Sequence, residues 1–344
     1  MSELFSMCLV GDCAGYKLPE LLDPFQHFRR IISMADVFLF NLEGVVISRP
    51  YLPLANRLPP NRLMKPLVRS IYGIRECVYS LPTFAKFLKI CKFNIANIAN
   101  NHIFDWGRIG IVETKKHLNE SDIPSVGAGL DRPDACRPVI TSVNNQKIGF
   151  LSYNACGKVR LLDLEVFSAG LSPVRTIAGY GPEGAASYKK CRMEKQIKDL
   201  AKKVDFVIVS LHIGRYFKAE VYSEQRDLVK KALNAGAHLV VCHSSHVPQG
   251  IMTAHANRLV FFGMGDFVYK HNHLVRESLI ARVSFYEDRL ETIIHPVKLV
   301  GGLPHPPSEK EAVDILMKIH SLSKPVKSFK INNGLGFLST KSKH

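Results

Sequence analysis

Runs of β-branched and aromatic residues, each about strand length, alternate along the chain with stretches whose apolar positions recur at helical spacing. Interleaving of the two periods predicts an α/β protein rather than separate all-β and all-α regions. Phe5–Val10, Val37–Asn41, Phe93–Ile98, Val139–Ser142, Lys147–Tyr153, Phe206–Leu211, Leu239–Cys242, Arg258–Phe262 and Leu279–Phe285 read as strands. Thr83–Cys91, Ile109–Glu120, Arg192–Lys203 and Glu224–Asn234 read as helices, the last followed by Gly236 as a C-cap.

Two stretches break the alternation. Between Ser48 and Pro66, five prolines (Pro50, Pro53, Pro59, Pro60 and Pro66) exclude a regular element and predict a surface excursion, a candidate lid. Gly157 to Tyr188 is rich in Gly and Pro and joins the two halves of the pattern. No internal repeat is present. A helix over Glu309–Ser321 and a basic tail to His344 follow the last predicted strand, so the chain reads as a domain over 1–300 and a C-terminal helix with a mobile tail over 301–344.

At 344 residues and 46% hydrophobic content the chain has ample material for a buried core. A formal net charge of +16 favours anionic partners, a phosphorylated or polymeric substrate among them. The aromatic and basic motifs of the usual nucleic-acid modules are absent, so no specific nucleic acid is expected. Apolar runs such as Val204–Leu211 and Leu259–Met264 are far shorter than the roughly 20 residues that cross a bilayer, so no transmembrane segment is expected. The first strand begins almost at Met1, which leaves no room for a secretory leader and points to the cytoplasm. The eight cysteines are scattered singly, without a Cys-x-x-Cys pair, and are expected to be reduced and mostly buried.

The polar residues just after the predicted strands carry the chemistry, because strand ends are where α/β proteins build sites. Leu9-Val10-Gly11-Asp12 and Asn41-Leu42-Glu43-Gly44 each place a carboxylate there. Ala99-Asn100-Asn101-His102 follows the third such run, with Asp105 and Gly107 beyond it. Ser210-Leu211-His212-Ile213-Gly214 and Cys242-His243-Ser244-Ser245-His246 end two more. Taken singly each has an ordinary explanation: strand-end acids and paired amides form turns, and a core histidine needs one hydrogen bond. Together, Asp12, Glu43, Asn101, His212, His243 and His246 form a set of oxygen and nitrogen donors without thiolate. Such a set suits Mn, Fe, Zn or Mg rather than a structural Cys-rich zinc site.

In order and spacing these motifs resemble the calcineurin-like metallophosphoesterases, and within them the CapA-like branch named for bacterial capsule and poly-gamma-glutamate synthesis. The resemblance runs from about Val10 to Tyr269 and rests on Gly11-Asp12, Asn41-Leu42-Glu43-Gly44, Ala99 to Gly107, His212-Ile213-Gly214, His243 to Gln249 and Gly263-Met264-Gly265-Asp266-Phe267. It implies a two-sheet β-sandwich flanked by helices and a site holding two divalent metal ions. Asp12 and His246 would bind the first ion, Glu43 would bridge, and Asn101, His212 and His243 would bind the second. His102 would protonate the leaving oxygen, with Asp105 orienting its imidazole or fixing the turn. Arg75, in a stretch similar to the family's Phe-Arg segment, would contact substrate; read alone it is a surface arginine.

The chain also departs from the family pattern. Arg215, Tyr216 and Phe217 follow His212-Ile213-Gly214, where many CapA-like sequences have a glutamate and an aromatic. Asp266 stands for the asparagine of Gly-Asn-Phe, Cys242 for a glycine, and Ala14 for a histidine that the wider superfamily carries after the first aspartate. The first ion would then have fewer protein ligands. Besides a phosphoesterase, the residues therefore allow a non-hydrolytic assembly or carrier protein for an anionic surface polymer, or hydrolysis of amide or peptide bonds by the same cage.

Overall fold

The computed structural model of the chain describes residues 2–15, 23–48, 78–90, 94–156, 184–185, 192–254, 257–270, 277–323, 326 and 328–340. Arg75, the excursion from Pro50 to Pro66 and nearly all of the Gly157–Tyr188 segment lie outside the described residues.

In chain order the strands are β1 (Phe5–Cys13), β2 (Val37–Leu42), β3 (Val45–Val46), β4 (Tyr79–Ser80), β5 (Ile95–Asn97), β6 (Ser125–Val126), β7 (Ala128–Gly129), β8 (Val139–Val143), β9 (Gln146–Asn154) and β10 (Gly184–Ala185). There follow β11 (Phe206–His212), β12 (Leu239–His243), β13 (Ile251–Thr253), β14 (Leu259–Phe261), β15 (Asp266–Val268), β16 (Glu277–Phe285), β17 (Leu290–Val300), β18 (Leu303–His305), β19 (Lys330–Asn332) and β20 (Leu335–Ser339). A large sheet runs β19-β20-β17-β16-β1-β2-β5-β6, with β15 paired to β1 and β18 to β17. A second sheet runs β13-β14-β12-β11-β9-β8. Within the first, β1, β2 and β5 are parallel; within the second, β9, β11, β12 and β14 are parallel.

Side-chain alternation explains how the sheets stack. Phe5, Met7 and Leu9 of β1 point inward and meet Ile148, Phe150, Phe206 and Ile208 of the second sheet in a shared core. Their neighbours Cys8 and Val10 point the other way and pack with Phe38 and Phe40 against Phe84 and Leu88 of the helix Pro82–Ile90 and Ile111 and Leu118 of the helix Gly107–Glu120. On the far face of the second sheet, Leu151, Val207 and Val209 pack against the helices Met193–Ala201 and Ser223–Ala235. The result is a helix/sheet/sheet/helix sandwich, as the resemblance implied. Strands covered on both faces are mostly apolar, which is why β1 reads as a hydrophobic run from Met7 to Val10, with the buried Ser6 satisfied by Asp36.

Gly236 closes the helix Ser223–Ala235 in the left-handed region at φ +119°, as expected. The region after Phe285 is richer in strands than its sequence suggested: β17 is edge to edge with β16 and β20, and the β19–β20 hairpin extends the large sheet beneath the helix Glu309–Leu322. Pro296 argues against a strand by removing a donor, and long-range pairing overrides that local signal. Cys8, Cys13, Cys156 and Cys242 are free thiols, but Cys136 is disulfide-bonded. This corrects the expectation of reduced cysteines: pairing follows spatial proximity, to which linear spacing is blind.

Candidate metal centre

The parallel strands of the two sheets bring their C-terminal ends to one place. Asp12 lies where β1 passes β15 so closely that a side chain on Gly11 would meet the Gly265 carbonyl oxygen at 1.8 Å. That approach lets the Asp12 backbone N–H donate to Gly265 (3.0 Å) and sets Asp12 opposite Asp266 in the strand register. The buried Asp12 carboxylate accepts from Asn41 Nδ2 at 2.8 Å and from the Ser244 backbone N–H at 3.3 Å. His243 Nδ1 stands 3.1 Å from its Oδ1, and His246 Nδ1 3.6 Å from its Oδ2.

Glu43 follows β2 at a tight turn. Gly44 sits at φ +92°, and a side chain there would strike the Val78 carbonyl at 2.3 Å. Asn100 braces this turn, accepting from Gly44 N at 3.2 Å and donating to the Leu42 carbonyl at 2.7 Å, so it is structural. Glu43 is 1% exposed, yet among the described residues no hydrogen-bond donor reaches either of its carboxylate oxygens. Its neighbours are the Nε2 atoms of His102 and His246, each 3.8 Å from Oε1.

Asn101 Oδ1 is 2.7 Å from His212 Nε2. His212 ends β11 in register with His243 at the end of β12. His102 Nδ1 pairs with Asp105 Oδ2 at 2.8 Å, and the same oxygen accepts from Val78 N at 2.8 Å; Asp105 therefore both orients the imidazole and fixes the turn. The loop carrying His243 and His246 holds Ser244 at φ +83° and His246 at φ +58°, left-handed conformations that cost non-glycine residues free energy and concentrate at functional sites.

Electrostatics follow from burial without Lys or Arg: among the described residues the ion-pair partners of Asp12 and Glu43 are all histidines. Burial works against the Asp12 charge, but His243, His246 and His212 outweigh it and hold the carboxyl below the usual range. Burial, with the Asp12 and Asp266 charges adding, pushes Glu43 up to about 8 against the pull of His246 and His102. Burial drives His212 down to about 3. His246 rises to about 10 and His102 also rises, in each case because carboxylates overcome the desolvation: Asp266, Glu43 and Asp12 for the first, Asp105 and Glu43 for the second. Such opposed shifts arise where buried carboxylates and imidazoles crowd together with only one another as charged partners.

Two groups of donor atoms are close enough to hold an ion: Asp12, Glu43 and His212, and Asp12, His246 and Asp266, with all atoms of each group within 4.8 Å of one another. Asp12 belongs to both. These groups contain four of the six residues read from the sequence as ligands; His243, 3.1 Å from Asp12 Oδ1, and Asn101, 2.7 Å from His212 Nε2, adjoin them, and His102 with its partner Asp105 faces Glu43. Asp266 was read only as a departure from the family pattern; its Oδ1 lies 2.8 Å from His246 Nδ1. The signal available was an acid inside the apolar run Phe261 to Tyr269. Also missed was the buried chain behind Asp12, in which Asn97 donates to Asn41 Oδ1 at 2.9 Å and Ser152 donates to Asn97 Oδ1.

Residues 16–271 match the family described as bacterial capsule synthesis protein PGA_cap. The chain belongs to this family. Capsule biosynthesis protein CapA of Bacillus anthracis is 27% identical over 227 residues, which cover 64% of this chain and 51% of that protein. PGA biosynthesis protein CapA of Bacillus subtilis (strain 168) is 27% identical over 184 residues, covering 54% and 44%. The chain thus spans about half the length of these PGA_cap-like relatives. A solved structure of a novel phosphatase from Mycoplasma pneumoniae superposes over 89% of this chain and 92% of its own, with TM-score 0.48 and 12% identity. Among the described residues no helix is long and apolar enough to cross a membrane.

Proposed function

We propose that this PGA_cap-family protein is a dinuclear, metal-dependent phosphoesterase acting on an anionic, phosphorylated or polymeric substrate in capsule, exopolysaccharide or poly-gamma-glutamate synthesis. The observation that carries the reading is Glu43, a carboxylate 1% exposed with no hydrogen-bond donor on either oxygen among the described residues. An ionised carboxylate left so would cost several kcal/mol, and a bound cation is the partner its neighbours are built to hold. His246 Nε2, 3.8 Å from Glu43 Oε1, would share that cation with it.

In this reading Asp12 and His246 would hold the first ion and Asn101, His212 and His243 the second, with Glu43 shared between them. Such ions supply the positive charge that stabilises a phosphoryl group undergoing in-line displacement. The chain's own residues do the rest. Asn41 fixes the Asp12 carboxylate by its 2.8 Å hydrogen bond. Asp105 takes the His102 Nδ1 proton in a hydrogen bond, which leaves Nε2 to carry the second proton. The His102 side chain is 21% exposed where Glu43 is 1%, so it reaches from the buried donors toward entering substrate and can protonate the leaving oxygen. The His243–His246 loop brings both imidazoles to the Asp12 carboxylate, His243 Nδ1 to Oδ1 at 3.1 Å and His246 Nδ1 to Oδ2 at 3.6 Å.

Arg215 and Tyr216, both exposed at the position where the family pattern has an acid, favour a second reading: an assembly or carrier protein that binds an anionic polymer without turnover. Elemental analysis and assays on aryl phosphate mono- and diesters, with and without Mn, separate the two. About two metal equivalents and Mn-dependent hydrolysis lost in His102→Ala support the phosphoesterase. At most one equivalent and no turnover of either ester class supports the assembly protein.

A further inference from the structure

The loop after β11 is built to present an aromatic face beside the metal centre. Tyr216 is 49% exposed, and its ring lies 5.1 Å from that of His246 at 76°. Phe217 backs it at 3.9 Å between centroids. On the other side of His246, Tyr269 lies at 5.4 Å and is buried. A single exposed aromatic needs no explanation, but this one is held at a cost. Phe217 sits at φ +56°, an outlier for a bulky residue, and its N–H donates to the Ser245 carbonyl at 2.9 Å.

Two fully buried glutamines outside the donor set hold the loop in place. Gln249 Nε2 donates to the Lys218 carbonyl at 2.9 Å and the Glu220 carbonyl at 3.3 Å. Gln225 Nε2 donates to the Phe262 carbonyl at 2.7 Å, to Gln249 Oε1 at 3.0 Å and to the Ile213 carbonyl at 3.3 Å. Gly214 lets the loop pass the next one, since a side chain there would meet Ser245 N at 2.7 Å. A strained, clamped loop keeps an aromatic pair preorganised, so little ordering entropy is lost when a ligand stacks on it. Between Ile213 and Ala219 the loop's charged residues are Arg215 and Lys218, and Arg215 rests on the Tyr222 ring at 4.7 Å.

Cationic and aromatic groups together suit a phosphate ester whose organic half contains a ring. The phosphoryl group would lie at the metal centre and the ring would stack on Tyr216. We infer that Tyr216, backed by Phe217, is the stacking wall of a substrate subsite for ring-bearing phosphate esters, aryl, nucleoside or sugar, in preference to acyclic ones. This rests on the phosphoesterase reading of the same centre.

Calorimetric titration of the Mn-loaded protein with phenylphosphonate and with methylphosphonate tests it without requiring turnover. The expected result is roughly tenfold tighter binding of the phenyl compound. That ratio falls to about one in Tyr216→Ala and is restored in Tyr216→Phe, with thermal melts showing both variants folded. Equal affinities in the unaltered protein, or a preference that survives Tyr216→Ala, overturns the subsite and leaves the phosphoesterase reading standing. If neither phosphonate nor inorganic phosphate binds, the phosphoesterase reading falls and the subsite with it. Uridine monophosphate and glucose 1-phosphate, each compared with glycerol phosphate, then tell a planar base from a sugar ring; preference for neither counts against the subsite.

Discussion

Asp266 Oδ1 lies 2.8 Å from His246 Nδ1, and both residues are buried. A carboxylate accepting a hydrogen bond from Nδ1–H fixes the ring orientation and leaves Nε2 facing Glu43 Oε1 at 3.8 Å. A carboxylate in this outer position also raises the basicity of its histidine more than an amide would. Asp266→Asn should therefore weaken Mn binding by about 10- to 100-fold while the melting temperature stays close to that of the unaltered chain. Calorimetric titration of Mn checks it, and unchanged affinity would show that the acid adds nothing to the family's asparagine.

Asp105 holds two positions at once, and two substitutions separate them. Asp105→Ala removes the acceptor of the buried Val78 N–H as well as the His102 partner, so it should lower stability by about 1–3 kcal/mol in denaturant titration. Asp105→Asn can still accept from Val78 N but no longer offers His102 a charge. It should stay folded and lose about 10²- to 10⁴-fold in turnover of an aryl phosphate at unchanged metal content. If both variants retain full turnover, Asp105 serves the turn alone.

The α/β class and the strand-end positions of the candidate donors were legible from local signals, whereas the two-sheet layering came from the family resemblance. β1 and β11 are short apolar runs that end in a polar residue, and Asp12 and His212 stand at those ends. What stayed hidden depends on chain segments far apart in sequence. β17 pairs with β16 and β20 across a proline that locally argues against a strand. Asp266 reaches the centre because β15 lies beside β1, some 250 residues earlier in the chain, a pairing that no local period encodes. Asn97 and Ser152 lie inside predicted strands with nothing local to single them out, and only the meeting of the two sheets makes them a hydrogen-bonded chain behind Asp12.

Gly11 is the point where β1 passes the chain entering β15. Any Cβ there would overlap the Gly265 carbonyl at 1.8 Å, and that carbonyl is backbone that cannot swing away. Gly11→Ala should push β15 off β1, costing roughly 1–3 kcal/mol in denaturant midpoint and displacing Asp266 from His246. Mn affinity should fall in step with stability. A variant as stable as the unaltered chain would mean that β15 can retreat without loss.

His238 gives a pH dependence separate from the centre. Its Nδ1 accepts the Val207 backbone N–H at 3.1 Å, which requires a neutral imidazole, and its ring meets Phe206 edge-on at 5.3 Å. Burial, with the Arg258 charge adding, lowers it from 6.5 to about 4. The unfolded chain therefore takes up a proton first as pH falls. The contribution to stability is complete above about pH 6.5 and is lost as pH drops toward 4, a change on the order of 2–3 kcal/mol. Asn offers an acceptor oxygen where His offers Nδ1 and does not titrate, so His238→Asn should flatten this part of the curve. Denaturant titrations of both proteins between pH 7 and pH 4 should show their stability difference shrinking or reversing as pH falls. Parallel curves would mean that His238 keeps its ordinary proton affinity in the folded chain, and that the Val207 N–H finds another acceptor when the imidazole is charged.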